Sequence, residues 1–279
     1  MTPKQKILVI VGPTSSGKSA LAIQLAKKFD GEVISADSRQ VYRGLDIGTG
    51  KVTKQEMDGV PHHLLDVASP KKKFSAGDFV ARATHAITDI AQRGKLPIIA
   101  GGTGFYIDAL VGRIPLTEVP PNPTLRNKLQ TKTVAQLFAL LKKKDPIRIA
   151  TMESSSERNN KVRLIRALEI AYSPDHDSNR KTTLFNLSHD FDIVWIGINL
   201  PLAILEKKIA LRLAQRIKSG MVAEAKRLHE TGLSYKRMEE LGLEYRSLAH
   251  LLQGKITRIE MEAQLNREIR RYAKRQITY

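Results

Sequence analysis

Four apolar runs stand out along the chain: "KILVIV" (6–11), "EVISA" (32–36), "LPIIAG" (96–101) and "DIVWIGIN" (192–199). Each is nearly continuous in hydrophobic residues rather than alternating, the pattern of strands covered on both faces. Between the first three lie "GKSALAIQLAKKF" (17–29) and "GDFVARATHAITDIAQRG" (77–94), whose apolar residues recur at helical spacing. Strands that alternate with amphipathic helices predict an α/β fold built on a parallel sheet.

The long interval before the fourth run reads as an insertion. It opens with "IPLTEVPPNPTLR", where Pro115, Pro120, Pro121 and Pro123 predict a stiff, non-helical linker. Three segments of helical periodicity follow: "TLRNKLQ" (124–130), "TVAQLFALLKKK" (133–144) with Thr133 as its cap, and "RNNKVRLIRALEIAY" (158–172). A polar loop, "SPDHDSNRKTT" (173–183), closes the interval. Residues 116–186 are therefore expected to form a small basic helical subdomain, set into a core made of residues 1–115 and 187–279. After the fourth run the chain reads as helical to its end, in "PLAILEKKIALRLAQRIKSG" (201–220), "MVAEAKRLHETG" (221–232) and "TRIEMEAQLNREIRRYAKRQITY" (257–279).

Charge sharpens this division. The 279 residues carry 46 Lys and Arg against 28 Asp and Glu, a net +18. Residues 1–119 contribute +5 of it; residues 120–172, with 11 basic and 4 acidic side chains, contribute +7, and residues 200–279 contribute +8. The excess outside the first segment fits a polyanionic partner, for which Lys and Arg contacts to phosphates dominate affinity, and it also fits a merely solvated basic surface. With no Cys, a disulfide scaffold and a thiolate metal site are excluded. The apolar run near the N-terminus stops at Gly12, too short for a secretion signal, and no run approaches a membrane span. A soluble, cytoplasmic protein, with nothing pointing beyond a monomer, is the expectation.

The most specific motif is "GPTSSGKSA". Gly12, Pro13, Thr14, Ser15, Ser16, Gly17, Lys18 and Ser19 fit G-x-x-x-x-G-K-[ST] between a predicted strand and a predicted helix, the setting this phosphate loop requires. Its glycines let backbone N–H groups turn inward around phosphate oxygens, Lys18 adds a full charge, and the Ser19 hydroxyl is a candidate Mg²⁺ ligand. A motor or switch NTPase also needs a strand that ends in a carboxylate to hold the metal. Here "LPIIAGGTGFY" runs into Gly-Gly-Thr-Gly and "DIVWIGINLP" into Asn199 and Pro201, which argues against hydrolysis-driven machinery and leaves a transferase that uses a phosphorylated small molecule. The one carboxylate at a strand end is Asp37 in "ISADSRQVY", a candidate general base, a candidate Mg²⁺ ligand, or the N-cap of a following helix.

These motifs, together with "ISADSRQVYRGLDIGTGK" (34–51), "PHHLLD" (61–66), "FSAGDF" (74–79), "AGGTGFYI" (100–107), "RLIRALE" (163–169) and "RYAKRQIT" (271–278), closely resemble those of tRNA dimethylallyltransferases, in the same order and over nearly the whole chain. The resemblance implies a P-loop NTPase-like core and transfer of a dimethylallyl group from its diphosphate to N6 of the adenosine immediately 3′ of the anticodon. It implies that the loop holds the donor diphosphate with Mg²⁺, that Asp37 is the base, that Thr103 lies near the base and diphosphate, and that Arg212 grips the diphosphate. It further implies tRNA contacts by Asp37, Ser38, Arg39, Gln40, Thr103, Arg126, Val162, Arg163, Leu164, Ile165, Arg166, Lys274, Arg275 and Gln276, with the anticodon stem-loop as the partner. Spacing also suggests that Leu164 and Ile165 pack inside the insertion. His62 and His63, adjacent and therefore divergent, read as structural rather than metal-binding. Two departures stand out: "YSPDHDSN" replaces the family's Thr-Gly-Lys turn after the insertion, and the family continues past a Trp where this chain has Tyr279. The rival readings are a P-loop small-molecule kinase, which leaves the basic insertion unexplained, and a non-catalytic RNA-binding module, which leaves Lys18 and Asp37 without a task.

Overall fold

The computed structural model describes residues 4–114, 116–117, 119–152, 155–174, 182–183, 187 and 190–278. The chain divides into two units, Met1–Ile114 with Phe185–Tyr279, and Pro115–Leu184. In the first unit, β1 (Gln5–Val11), α1 (Lys18–Lys28), β2 (Gly31–Ser35), α2 (Lys54–Met57), β3 (His62–His63), α3 (Ala76–Gln92), β4 (Leu96–Ala100) and α4 (Gly104–Leu110) come first. The second unit contains β5 (Leu116–Thr117), α5 (Pro123–Gln130), α6 (Val134–Lys144), α7 (Pro146–Ala150), α8 (Ser155–Arg158), α9 (Lys161–Ala171) and β6 (Thr182–Thr183). Returning to the first unit, the chain forms β7 (Phe191–Gly197), α10 (Leu202–Lys218), α11 (Met221–Glu230), α12 (Tyr235–Leu241), α13 (Leu243–Leu252) and α14 (Arg258–Ile277).

The large sheet has the order β3-β2-β4-β1-β7, and all its pairings are parallel. Alternation along the strands sorts the core. Leu8, Ile10, Val33 and Ile98 pack with Ala22, Ile23 and Ala26 of α1. Their neighbours Ile7, Val9, Ile34 and Ile99, all fully buried, face the other way, where α3 covers β2 and β4. α3 is fixed at its start by a reciprocal capping box between Ser75 and Asp78. A third layer, α10 to α14, forms its own core with Leu213, Met221, Tyr245, Leu248, Met261 and Leu265, and it takes in Val41, Tyr42 and Leu45 from the segment after β2.

Two expectations need correction. Pro123 does not prevent a helix: it is the first residue of α5, where its missing N–H would have no partner in any case, and Asn122 caps the turn by accepting the Leu125 N–H at 2.9 Å. No helix follows Asp37 either, because residues 38–41 form a turn. The Thr133 cap is present as a capping box with Gln136. Most of the polar loop 173–183 lies outside the described residues, though Thr182–Thr183 pairs antiparallel with Leu116–Thr117.

Within the second unit, α5, α6 and α9 pack around Leu129, Leu137, Leu141, Leu164 and Leu168. Glu169 is buried beside this core. Its carboxylate accepts from the Asn122 N–H at 2.8 Å and pairs with Arg126 at 2.7 Å and Arg166 at 3.4 Å. A buried carboxylate persists as an ion only when so satisfied.

Candidate active site

The sheet's carboxyl edge brings three loops side by side: 12–17 after β1, 36–41 after β2 and 101–103 after β4. β4 lies between β2 and β1, so the Gly-Gly-Thr turn, not the Asp37 segment, is the phosphate loop's immediate neighbour in the sheet. Backbone bonds tie the loops together: Gly101 N–H to Ile10 O, Ala36 N–H to Ala100 O, and Thr103 N–H to Ala36 O. Thr103 caps nothing with its side chain; its Oγ1 accepts the Ser38 N–H at 3.0 Å and so fixes the segment that carries Asp37.

In the phosphate loop, Ser15 and Gly17 adopt positive φ of 62° and 101°. The left-handed turns wrap the chain into a concave nest at the start of α1. Lys18 Nζ donates to the Gly12 and Pro13 carbonyls at 2.7 and 2.6 Å. Ser16 Oγ is buried with no hydrogen-bond partner among the described residues, and Ser19 is exposed on the cavity wall. A cavity of about 450 Å³ opens over this loop. Lys18, Ser19, Asp37, Gln40, Arg212 and Gln276 all line it.

Asp37 Oδ1 accepts the Arg39 N–H at 2.8 Å and the Gln40 N–H at 3.3 Å. Its Oδ2 takes no hydrogen bond from the described residues. The carboxylate therefore caps a turn with one oxygen and presents the other to the cavity. Electrostatics bind the charged trio together. Burial pulls Lys18 down to about 8, with Asp37 opposing the shift and Arg212 adding to it. Burial and the neighbouring Arg216 lower Arg212 too. A site that crowds two cations has unmet demand for negative charge.

Arg212 is held by the end of the segment 34–51, to which the sequence reading gave no role at this position. Its Nη2 donates to the Gly50 carbonyl at 2.7 Å. The preceding residues are clamped on both sides. Buried Glu224 accepts the consecutive N–H groups of Asp46, Ile47 and Gly48 at 3.1, 2.7 and 2.9 Å, and the Tyr245 hydroxyl at 2.7 Å. Arg216 donates to the Ile47 carbonyl at 2.8 Å, to the Gly48 carbonyl, and to Glu244 at 3.0 Å. Glu224→Ala orphans four donors; it is expected to cost about 3–5 kcal/mol and to lower Tm by on the order of 10 °C in a melt. An unchanged Tm would show that the clamp is dispensable.

The comparisons with known proteins agree on one family. A family model described as IPP transferase matches residues 40–279. The chain belongs to the IPP transferase family. A tRNA dimethylallyltransferase of Leuconostoc citreum is 42% identical over 276 residues, which cover 98% of this chain and 90% of that one. A tRNA dimethylallyltransferase 2 of Treponema denticola is 42% identical over 281 residues, 100% of this chain and 92% of that one. Among solved structures, a tRNA isopentenylpyrophosphate transferase from Bacillus halodurans superposes with a TM-score of 0.70 at 38% identity, covering 99% of this chain and 86% of that chain. A eukaryotic dimethylallyltransferase acting on tRNA superposes with a TM-score of 0.81 at 29% identity, covering 98% of this chain and 69% of that chain. The P-loop NTPase-like α/β core is thus the fold of this IPP transferase, an enzyme of the tRNA dimethylallyltransferase class.

Other residues expected at the site fall into place unevenly. Lys274 and Arg275 are exposed near the end of α14, and Gln276 reaches the phosphate loop. In the second unit, Val162 and Arg163 are exposed. Arg126 and Arg166 are half-buried in the Glu169 network. Leu164 and Ile165, expected both to touch RNA and to pack inside, have their side chains buried in the α5–α6–α9 core of this IPP transferase. His63 bonds buried Glu32 at 2.7 Å, whereas His62 turns to the Val60 carbonyl at 2.8 Å and lines the cavity. Tyr272, Thr49, Glu56 and Gln215 also line the cavity without having been expected there. Thr49 and Tyr272 lie within the quoted segments 34–51 and 271–278 but were not singled out there, and nothing local marks Glu56 or Gln215. No helix among the described residues is long and apolar enough to cross a membrane.

Proposed function

We propose that this protein transfers a dimethylallyl group from dimethylallyl diphosphate to N6 of the adenosine immediately 3′ of the anticodon in tRNA, acting in the cytoplasm as a monomer. The observation that carries the reading is that a phosphate loop with Lys18, a carboxylate oxygen of Asp37 without a partner among the described residues, and Arg212 face one cavity. The phosphate loop, from Gly12 to Ser19, and Arg212 hold the donor's diphosphate. The N6 lone pair attacks C1 of the dimethylallyl group while the C1–O bond breaks, and diphosphate leaves with the bonding pair. Asp37 takes the N6 proton. Donors already aimed at the diphosphate stabilise the charge that grows on it as the bond breaks, with no reorganisation at that moment.

Mg²⁺ fits the residues present. Among the described residues there is no group of three or more His, Asp or Glu to bind a metal unaided, but the exposed Ser19 hydroxyl on the cavity wall would help hold it at the bound diphosphate. When bound, it neutralises leaving-group charge. The adenine must leave its stack to reach the cavity, which gives Ser38, Arg39, Gln40, Thr103, Lys274 and Arg275 a task in holding the RNA. The exposed cations among residues 120–172 are available for phosphates.

The test mixes purified protein, Mg²⁺, labelled dimethylallyl diphosphate and unmodified tRNA, with ATP consumption followed in parallel. Label in RNA without loss of ATP is expected. Loss of ATP without label would replace this reading with a small-molecule kinase.

A further inference from the structure

The end of α14 reaches into the phosphate loop from 262 positions away in sequence. Gln276 Oε1 accepts the Thr14 N–H at 2.7 Å, and Gln276 Nε2 donates to the Gly102 carbonyl at 2.7 Å. One helical turn earlier, the Tyr272 hydroxyl donates to the same carbonyl at 3.3 Å. The approach is close: a Cβ at position 102 would lie 2.3 Å from Gln276 Nε2, the movable end of that side chain, and would push the carboxamide aside. A single carboxamide therefore spans the loop after β1 and the turn after β4.

The Thr14 amide belongs to the set that such loops turn toward an anion. Here it already carries an oxygen, uncharged and supplied by the protein, just as Lys18 Nζ is occupied by the Gly12 and Pro13 carbonyls. An anion that uses this amide has to displace the carboxamide. We propose that Gln276 is a positioning residue that competes with the donor's diphosphate for the Thr14 amide and thereby couples the phosphate loop to the end of α14. The inference rests on the donor reading above. Its consequence is a linkage: Lys274 and Arg275, exposed on the turn that carries Gln276, give bound RNA a lever on the carboxamide. RNA and donor then change each other's affinity by one common factor.

Isothermal titration of inorganic diphosphate with Mg²⁺ into the full chain tests this. Gln276→Ala is expected to bind about fivefold more tightly, the worth of one released hydrogen bond. Gly102→Ala, which expels the carboxamide from the other side, shifts affinity in the same direction. Gln276→Glu keeps an acceptor for Thr14, adds a charge that repels the anion, and binds about tenfold more weakly. Opposite signs for the Ala and Glu variants are what a purely structural contact would not give. If all three variants weaken binding, or if none changes it while the unsubstituted protein binds, the competition is refuted and the donor reading stands. An unsubstituted protein that ignores diphosphate overturns the donor reading itself.

Discussion

Asp37→Asn is expected to slow single-turnover transfer by about a thousandfold, the scale of a lost general base, while tRNA affinity stays close to that of the unsubstituted protein. Asn keeps the size of the side chain and an oxygen for the Arg39 and Gln40 N–H groups that Oδ1 now satisfies. The turn therefore survives and only the capacity to take a proton is removed. The two readouts separate the alternatives: near-normal transfer removes Asp37 from the proton step, and parallel loss of transfer and tRNA binding makes it a structural cap. A second effect accompanies the first. Asp37 opposes the downward shift of Lys18, so its neutralisation lowers the Lys18 pKa further.

Lys18→Ala is expected to weaken donor binding by about a hundredfold, the scale of one or two charge-assisted hydrogen bonds in a half-buried site. The pH profile is the finer test. With its pKa near 8, Lys18 in the free enzyme is charged below that value and loses its proton above it. The bound diphosphate favours the charged form and raises the pKa. Affinity is therefore steady below about pH 8 and falls by up to tenfold per unit above it, until the pKa of the complex is reached. In Lys18→Ala this fall disappears. If unsubstituted protein and variant share one profile, Lys18 makes no contact with the diphosphate.

Local features of the site were legible in the sequence and non-local ones were not. The phosphate loop announces itself because its backbone needs glycine, lysine and serine at fixed offsets within eight residues. Asp37 is visible because strand β2 ends just before it. Nothing local marks Gln276 as a partner of Thr14, or Glu224 as the carboxylate that gathers three successive N–H groups far upstream. Both contacts exist only once the helical layer has closed on the sheet. The proline-rich linker misled for a different reason. Proline forbids the interior of a helix but suits its first turn, and Asn122 beside Pro123 supplies the cap that makes this the first turn. Leu164 and Ile165 show the same limit from the other side. A motif aligned with RNA-contacting positions says nothing about which of its side chains face inward, and the periodicity of α9 does.

The place of β1 in the sheet also has a history during synthesis. It pairs along its whole length with β7, Gln5 against Phe191 through Val11 against Gly197. Its partner therefore lies about 180 residues downstream, with the second unit in between. At about 5–20 residues per second, a ribosome leaves that edge of the strand open for roughly 10–40 s. Throughout that interval the nascent chain displays a hydrophobic, fully hydrogen-bonding strand edge to every other extended segment nearby. The edge is most open to mispairing between completion of the first three apolar runs and arrival of the fourth.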